Sequence, residues 1–266
     1  MISPIVTLTT DWGYSDFFAG AVKGRLYTDI PNVRVVDITH GIDPFSLRKA
    51  IFVVKNGCLS FPPGTIHIID VCSSQTKEHP FVVVSYAQQY YICTDNGLPH
   101  AVFEDQYDKA VVIDGIRWDS DFYTFAARDL FCKVAAMIAA DTPIEQLGLP
   151  VESFFKTTAF NPRITSDSLS LNVLYVDSYG NADLNITYAD FERYRQGRSF
   201  VMRFFEYSIN QVTLGYHVDP HKISPRRSYI LLTVSSSGYL QLAIYEGSAD
   251  QMLNLRNCGS ITVTFQ

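Results

Sequence analysis

The feature that most constrains the fold is a change of periodicity near residue 150 of the 266-residue chain. Before it, short β-branched runs alternate with stretches whose apolar residues recur at helical spacing, the pattern of parallel strands joined by crossover helices. After it, strand-like runs are separated by Gly and Pro, as in small antiparallel barrels. The sequence therefore predicts an α/β N-terminal domain with a mainly parallel sheet, followed by an all-β C-terminal barrel.

The predicted domains are residues 1–150 and 165–266, joined by a linker over 151–164 where the periodicity lapses. Strands of the first domain are predicted at residues 5–9, 34–38, 65–71, 81–85, 90–94 and 110–113. Its helices are predicted at 16–27, 46–58 and 124–140, with Asp16 and Ser46 as N-caps of the first two. Strands of the second domain are predicted at 169–176, 200–205, 229–234 and 239–245.

Cysteine usage and charge narrow the classes of function. The five cysteines are odd in number and lack a CxxC pair, so we interpret them as reduced packing residues. A net charge of −6 and the lack of a long basic run argue against a nucleic-acid partner. The first residues resemble neither a signal peptide nor a membrane span, so we expect a cytoplasmic protein with no membrane partner. A small-molecule ligand is the expected partner.

Polar residues follow four of the predicted strands, at Thr10-Asp11, 37–40, Asp70 and 94–97. Each place alone has an ordinary structural explanation, such as a helix cap or a tight turn. The carboxyl ends of parallel strands share the edge where α/β proteins bind ligands, so their coincidence favours a pocket. The places are acidic and lack phosphate-binding glycine motifs, which favours a ribose diol or a cationic ligand over a pyrophosphate or triphosphate.

Ordered motifs along nearly the whole chain carry a resemblance to one family. They include Thr9-Thr10-Asp11-Trp12-Gly13, the run 36–45, Asp95-Asn96-Gly97-Leu98, Arg128-Asp129-Leu130-Phe131, Asp177-Ser178-Tyr179-Gly180-Asn181 and Ser236-Ser237-Gly238-Tyr239-Leu240. In these motifs the chain resembles the S-adenosylmethionine hydroxide adenosyltransferases, relatives of the fluorinating and chlorinating adenosyl enzymes. The resemblance implies hydrolysis of S-adenosylmethionine to adenosine and methionine, by water or hydroxide attack at the ribose C5′.

The resemblance also implies the assembly and the ligand. It implies a homotrimer in which S-adenosylmethionine or adenosine lies where the N-terminal domain of one subunit meets the C-terminal domain of a neighbour. Methionine leaves the sulfonium as a neutral molecule, so the leaving group needs no acid. The enzyme must supply alignment, a dry pocket and a stabilised hydroxide. We therefore expect neither a metal nor a cofactor, with S-adenosylmethionine as substrate or ligand.

Four substrate-binding residues of the N-terminal domain follow from matching positions. The resemblance implies that Asp11 binds the ribose hydroxyls and that Asp16 contacts the methionine amine. Phe45 occupies a position where relatives place an aromatic side chain over the ribose, and Thr124 lies beside it. A role in maintaining the fold is the alternative for each of them.

Four more substrate-binding residues are implied in the C-terminal domain. Asp177 and Ser236 would hold the amino-acid end of the ligand. Tyr179 would stack on the adenine and Asn181 would hydrogen-bond to it. Their glycine-containing motifs could equally be turns between strands, which is the structural alternative.

The chain departs from the family in its catalytic set. Hydrolytic members resemble one another in an Asp, an Arg seven positions later and a His before Gly-Arg-Asp. Here Asp70 is kept, Lys77 stands at the Arg position and Ala126 at the His position. Lys77 keeps the charge without the planar guanidinium fork, and Ala126 can neither take a proton nor orient water. Asp70 and Lys77 are the predicted catalytic residues.

These departures leave three hypotheses open. Hydrolysis persists with a rearranged set in which His79 assists Asp70 and Lys77. Alternatively, the protein has kept the ligand and lost the chemistry, and serves as a binding or sensing module for S-adenosylmethionine or adenosine. The third hypothesis is another nucleophile such as a halide, although the pocket residues of halide-using relatives are not evident in the sequence.

Overall fold

The computed structural model describes residues 3–157, 161–217, 230–255 and 259–266. The chain divides into two compact units, Met1–Thr157 and Thr158–Gln266. Each unit has its own apolar core.

The first unit alternates strands and helices. Its elements are β1 (Ile5–Thr10), α1 (Phe18–Asp29), β2 (Arg34–Thr39), α2 (Leu47–Gly57), β3 (Ile66–Asp70), β4 (Phe81–Tyr86), β5 (Gln89–Thr94), α3 (Leu98–Phe103), β6 (Lys109–Ile113), a π-helical turn (Ala127–Phe131), α4 (Cys132–Ala139) and β7 (Gly148–Pro150). All six predicted strands and all three predicted helices are confirmed within a few residues; α3 and β7 were not predicted. The predicted cap at Asp16 is wrong, because Phe17 precedes α1. Ser46 does occupy the cap position of α2, but its side chain accepts no capping bond.

The seven strands form one sheet in the order β2-β1-β3-β5-β4-β6-β7. The first four of these pair in parallel, and β4, β6 and β7 join by antiparallel pairing. The sheet is therefore mixed, and the prediction of a mainly parallel sheet holds only for its first part. The short connection from β4 to β5 explains the antiparallel pair, since parallel neighbours need a long crossover.

The core of the first unit lies between the sheet and the helices α1 and α4. Val6 and Leu8 of β1 pack with Val22 and Leu26 of α1, and all four are fully buried. Each such side chain contributes roughly 1.5–3 kcal/mol by leaving water. Three of the cysteines are free, buried thiols in this unit, as predicted, whereas Cys258 lies outside the described residues.

Gly148 lets β7 approach β6 closely. A Cβ atom built on Gly148 would lie 1.7 Å from the carbonyl oxygen of Val112. No side chain can occupy that space, so only glycine permits this last strand of the sheet to pair.

The second unit is built mainly from strands. Its elements are β8 (Arg163–Ile164), β9 (Ser168–Leu171), β10 (Val173–Val176), β11 (Ala182–Thr187), α5 (Tyr188–Arg195), β12 (Phe200–Phe204), β13 (Tyr207–Ile209), β14 (Ile230–Val234), β15 (Tyr239–Ile244), α6 (Ala249–Leu253) and β16 (Ile261–Phe265). The strands predicted at 200–205 and 239–245 are confirmed, as is 229–234 apart from its first residue, which lies outside the described residues. The two short helices α5 and α6 were not predicted.

The strand predicted at 169–176 is two strands that belong to different sheets. The chain breaks at Asn172, whose N–H donates to the side-chain oxygen of Asn185 at 2.8 Å. The backbone N–H of Asn185 returns a bond to the Asn172 carbonyl at 3.0 Å. This reciprocal pairing lets the chain pass from β9 in one sheet to β10 in the other.

Two antiparallel sheets result, in the orders β10-β11-β15-β14 and β13-β12-β16-β9-β8. Leu184 and Leu242 of the first sheet share one core with Leu169 and Val263 of the second. The predicted C-terminal barrel is not confirmed, since neither sheet closes on itself within the described residues.

Candidate functional site

The candidate site of the first unit lies at the carboxyl edge of its parallel strands. Because β1, β2, β3 and β5 point the same way, the residues that follow them meet at one edge. Thr10 is the register partner of Asp70, and Thr9 is the partner of Thr39. The structure thus brings the four predicted polar places to the same edge of the sheet.

Asp70, the last residue of β3, is a buried carboxyl group at this edge. Only 7% of the residue is exposed, and its Oδ2 accepts a hydrogen bond from the indole nitrogen of Trp12 at 2.9 Å. Its Oδ1 accepts no hydrogen bond from the residues that the structure describes. Burial raises the pKa of Asp70 to about 6, with Asp11 adding to the rise while Ser73 and Trp12 oppose it. Such a carboxyl group can exchange a proton near neutral pH.

Asp11 and Phe45 are held together at the end of β1. The backbone N–H of Phe45 donates to Oδ2 of Asp11 at 3.0 Å. Phe45 has a φ of +64°, rare for a residue with a side chain, and 79% of it is exposed. The structure therefore joins two residues that the family resemblance associated with the ribose. Phe45 adopts a strained backbone conformation in which its aromatic ring is exposed.

Asp16 and Thr124 occupy exposed positions in two different loops of this unit. Asp16 lies between β1 and α1, and Thr124 lies two residues before the helical segment that begins at Ala126. Neither side chain hydrogen-bonds to another of the described residues. Both remain accessible to a ligand, and their roles stay predictions.

A chain of polar contacts behind the edge was not predicted from the sequence. Nδ1 of the buried His40 lies 2.7 Å from the hydroxyl of Thr10, and its Nε2 lies 3.1 Å from Oδ1 of Asp37. Asp37 is in turn paired with Lys23 at 2.5 Å. Desolvation of the ring lowers the pKa of His40, against the opposing charge of Asp37. The sequence placed His40 among the polar residues that follow the strands, since it follows β2 as Thr10 ends β1, but it did not predict these partners.

The π-helical turn Ala127–Phe131 flanks the same edge. Phe125, just before it, packs edge-on against Trp12 with ring centres 5.5 Å apart. Within the turn, the guanidinium of Arg128 binds both carboxylate oxygens of the buried Asp129, at 2.6 and 2.8 Å. Ala126, at the position of the family histidine, is buried in the core cluster. A π turn inside a helix is frequent at functional sites, because it places side chains out of the regular register.

The loop after β3 carries the second predicted catalytic residue. Asn96 donates to the carbonyls of Val71 and Cys72 at 3.1 and 3.2 Å, which fixes the start of this loop. Lys77 lies further along it and is exposed. No hydrogen bond or ion pair joins its ammonium group to Asp70 or to any other residue in the described ranges. Its catalytic role remains a prediction.

The structure gives a hydrogen-bond partner for His79 and the direction of the pKa shift for Cys72. The ring nitrogen Nδ1 of His79 lies 2.9 Å from the backbone carbonyl of Asp95 and so donates to it. The structure thus ties His79 to the end of β5. Burial, and secondarily the charge of Asp11, raises the pKa of the Cys72 thiol. A protonated thiol is a poor nucleophile, in agreement with the interpretation of the cysteines as reduced packing residues.

Asp95 anchors the last part of the first unit. Both of its carboxylate oxygens lie 3.1 Å from the backbone nitrogen of Phe155, which donates to them. Burial raises the pKa of Asp95, while the Phe155 N–H opposes the rise. The motif residue Asp95 therefore has a structural role, which is to bind the backbone N–H of Phe155.

Asp177 and Asn181 of the second unit form one closed turn. Oδ1 of Asp177 accepts from the backbone N–H groups of Tyr179 and Asn181, at 2.9 and 2.8 Å. Its Oδ2 accepts from the Asn181 side chain at 3.0 Å. Tyr179 projects from the turn and is 82% exposed, and a Cβ atom on Gly180 would meet Ser248 Oγ at 2.0 Å. The turn presents an aromatic ring on a rigid base.

Ser236 lies on a second turn, between β14 and β15, and is exposed. Its neighbours Ser235 and Ser237 bond to each other through their hydroxyls at 2.7 Å. The four residues predicted in the C-terminal domain are therefore found on two turns, at positions consistent with either a ligand-binding or a structural role.

Neither a metal-binding cluster nor a membrane-spanning helix is found among the described residues. Within residues 3–157, 161–217, 230–255 and 259–266, no three His, Cys, Asp or Glu side chains are grouped so that they could hold a metal ion. No helix in the same ranges has the length and apolar character needed to cross a membrane.

Together the fold and the edge site define a class: a two-unit protein with an acidic α/β unit suited to a ribose or a cation, followed by an antiparallel β unit. The chain belongs to the SAM hydroxide adenosyltransferase family. The model of that family's N-terminal domain matches residues 6–148, and the model of its C-terminal domain matches residues 171–262. The resemblance inferred from the motifs is therefore confirmed.

Relatives of known name match the chain along almost its whole length. The (R)-S-adenosyl-L-methionine hydrolase of Methanocaldococcus jannaschii is 24% identical, over 99% of this chain and 97% of its own. The protein of the same name from Salinispora arenicola is 26% identical, with 98% of each chain covered. The fluorinase of Nocardia brasiliensis is 23% identical, over 98% of this chain and 96% of its own.

A solved structure shares the fold. An uncharacterized conserved protein from Thermotoga maritima superposes with a TM-score of 0.82 at 24% identity, covering 98% of this chain and 99% of its own. The two-unit arrangement of elements is thus common to proteins whose sequences have diverged widely.

Proposed function

We propose that this protein hydrolyses S-adenosylmethionine to adenosine and methionine, by attack of water or hydroxide on the ribose C5′. The observation that carries the proposal is Asp70, a buried carboxyl group with one oxygen free of hydrogen bonds among the described residues, beside Asp11. Membership of the family and the names of the full-length relatives support it. These relatives give no support to the alternative of an impaired binding protein.

Asp70 is the proposed base. With a pKa of about 6 it is mostly ionised at pH 7.5, so Oδ1 can accept a proton from the attacking water. The new bond joins the oxygen of the attacking water to C5′. The C5′–sulfur bond breaks, and its electron pair goes to the sulfur of methionine. Lys77 is proposed to stabilise the developing hydroxide by its charge, from the loop that follows Asp70.

The substrate is proposed to bind residues of the N-terminal unit of one subunit and of the C-terminal unit of a neighbouring subunit. Asp11, oriented by the Phe45 N–H, accepts hydrogen bonds from the ribose hydroxyls, and Phe45 covers the sugar. Asp16 contacts the methionine amine and Thr124 lies beside the ribose. The remaining proposed contacts are made by Asp177, Tyr179, Asn181 and Ser236.

The proposed assembly is a homotrimer that acts without a metal or a cofactor. The support for the trimer is the resemblance to the family. Light scattering of the purified protein tests it, and a mass of one chain, about 30 kDa, would contradict the proposal.

Chromatography of a reaction with S-adenosylmethionine tests the function. Hydrolysis predicts equal amounts of adenosine and methionine, formed well above the chemical background in chloride-containing buffer. A halogenated nucleoside would instead indicate a halide nucleophile. Calorimetric binding of S-adenosylmethionine or adenosine without turnover would overturn hydrolysis in favour of a binding protein, and no binding at all would overturn both.

A further inference from the structure

The indole ring of Trp12 lies between a histidine and the proposed base. On one side its nitrogen donates to Oδ2 of Asp70 at 2.9 Å. On the other side its plane stacks on the ring of His40, with centroids 5.7 Å apart and planes inclined by 12°. The direction in which the indole N–H points is therefore tied to the plane of the His40 ring.

The His40 ring is held mainly through one of its nitrogens. Its Nδ1 is hydrogen-bonded to the hydroxyl of Thr10 at 2.7 Å, whereas its Nε2 lies 3.1 Å from Oδ1 of Asp37 in a contact that lacks hydrogen-bond geometry. The edge of Tyr14 packs against the same ring, with centroids 5.4 Å apart. The bond to Thr10 and the two aromatic contacts fix the orientation of the imidazole, which is buried.

We propose that His40 is a positioning residue for the hydrolysis, whose stacked ring holds the Trp12 indole N–H on Asp70 and thereby keeps that carboxylate ready to accept a proton from water. This inference rests on the proposed function, in which Asp70 is the base. His40 contacts Trp12, and Trp12 in turn binds Asp70, so His40 itself does not touch the reacting atoms.

The groups around Asp70 give the direction of the effect. Burial and the charge of Asp11 favour the protonated carboxyl, whereas the nearby Ser73 side chain and the hydrogen bond from Trp12 favour the ionised form. The buried Cys132 thiol also faces the Asp70 charge. Around His40, the charged groups are Asp37 and Lys23. Losing the Trp12 bond therefore raises the pKa of Asp70 above about 6.

A second buried histidine offers a matched control. Nδ1 of His67 lies 2.7 Å from the hydroxyl of Thr7, the same distance as in the Thr10 pair. Its ring stacks on Tyr91 at 4.6 Å, and its Nε2 lies 3.3 Å from the side-chain oxygen of Gln89. His67 thus has a Thr partner and an aromatic partner like His40, but its aromatic partner is not the one that binds Asp70.

The test uses the indole of Trp12 as its own reporter. The chain has two tryptophans, so Trp118→Phe leaves Trp12 alone, and its fluorescence and indole ¹⁵N resonance can be followed against pH. We expect a midpoint near pH 6 that disappears in Asp70→Asn, which assigns it. In His40→Gln the midpoint rises by about one pH unit, since a hydrogen bond to a charged group is removed. In His67→Gln it stays where it was.

The proposal is overturned if folded His40→Gln keeps the original midpoint, or if His67→Gln shifts it equally. Should His40→Gln fail to fold, as judged by circular dichroism, His40→Asn provides the same measurement. The titration needs no substrate. It therefore tests whether His40 acts on Asp70 through Trp12 even if the protein proves not to hydrolyse S-adenosylmethionine.

Kinetics supply a second readout when turnover is present. The acid limb of kcat should move to higher pH by the same amount in His40→Gln and in Trp12→Phe, and the double variant should move no further. Additive shifts in the double variant would show that His40 acts by a route other than Trp12.

Discussion

Among the residues that the structure describes, each unit contains one buried carboxyl group with an oxygen that accepts no hydrogen bond, and the two groups differ in their position in the sheet. Asp70 and Asp183 are 7% and 3% exposed, and burial raises the pKa of each to about 6. In both, Oδ1 accepts no hydrogen bond from the described residues. By burial and pKa alone, the two groups are equivalent.

The two carboxyl groups differ in the structure that surrounds them. Asp70 ends a parallel strand, where loops from neighbouring strands converge. Asp183 lies inside β11, in a row of register partners that crosses the four-stranded sheet: Tyr175, Asp183, Gln241 and Thr233. Gln241 donates to Asp183 Oδ2 at 3.4 Å, and Tyr216 closes over the row by donating to Gln241 at 2.5 Å. A perturbed pKa therefore identifies a buried acid, whereas the end of the strand identifies the site.

The largest expected difference between the two acids is in turnover. Asp70→Asn should lower kcat by about 10²–10⁴-fold, the usual contribution of a general base. Asp183→Asn, the matched change in the other unit, should leave kcat within about threefold, because a carboxyl group covered within its sheet does not reach the reacting atoms. Steady-state assays of adenosine release measure both, and equal losses would remove the distinction.

The two acids should behave alike in stability. For each, the folded pKa of about 6 exceeds the ordinary value of 3.8, so the folded state gains stability from the bound proton below about pH 4 and loses it as pH rises to about 6. The loss at pH 7.5 is up to about 3 kcal/mol for each group. Both Asn variants should therefore be stabilised at pH 7.5, with the gain vanishing near pH 4.

Denaturant unfolding of the parent and the two variants at pH 4 and 7.5 measures this effect. A variant that is less stable than the parent at pH 7.5 would show that the ionised carboxylate has a stabilising partner. Stabilisation together with lost activity in Asp70→Asn is the pattern expected of a functional acid.

The turns of the second unit should affect binding more than chemistry. Asn181→Ala removes the side-chain amide that bonds Asp177 and is proposed to bind the adenine. We expect KM to rise about tenfold with kcat nearly unchanged, since such contacts bind ground and transition states alike. A fall in kcat with constant KM would instead assign this turn a role in the chemical step.

The smallest expected effect concerns the exposed loop after β3. Lys77→Arg restores the guanidinium of the family, and we expect kcat to rise by a few-fold because its fork can hold hydroxide at two points. Lys77→Ala should lower kcat by a similar factor. If neither change alters kcat, Lys77 has no part in catalysis, and Asp70 acts without it.

Much of the first unit could be predicted because its signals are local. The β-branched runs and helical spacings identified six strands and three helices, and parallel pairing then brought Thr10 and Asp70 together. The bond between Phe45 and Asp11 agrees with the association made from the motifs. Local periodicity and the direction of the strands were sufficient for these features.

Other features depend on contacts between distant residues. The stack of Trp12 on His40 requires the register of β1 against β2, which periodicity does not determine. The break at Asn172 depends on Asn185, thirteen positions later, so a continuous apolar pattern was interpreted as one strand. Whether strands close into a barrel is likewise decided by sheet edges, which no single segment encodes.

The π-helical turn Ala127–Phe131 has a consequence for how insertions and deletions act on this protein. A π turn holds one residue more than the α-helix that would replace it, so a one-residue deletion there would let the helix close regularly. Each residue of an α-helix advances the chain by about 100°. The same deletion would therefore rotate Phe125 about the axis of α4 and away from the ring of Trp12, which would change the site.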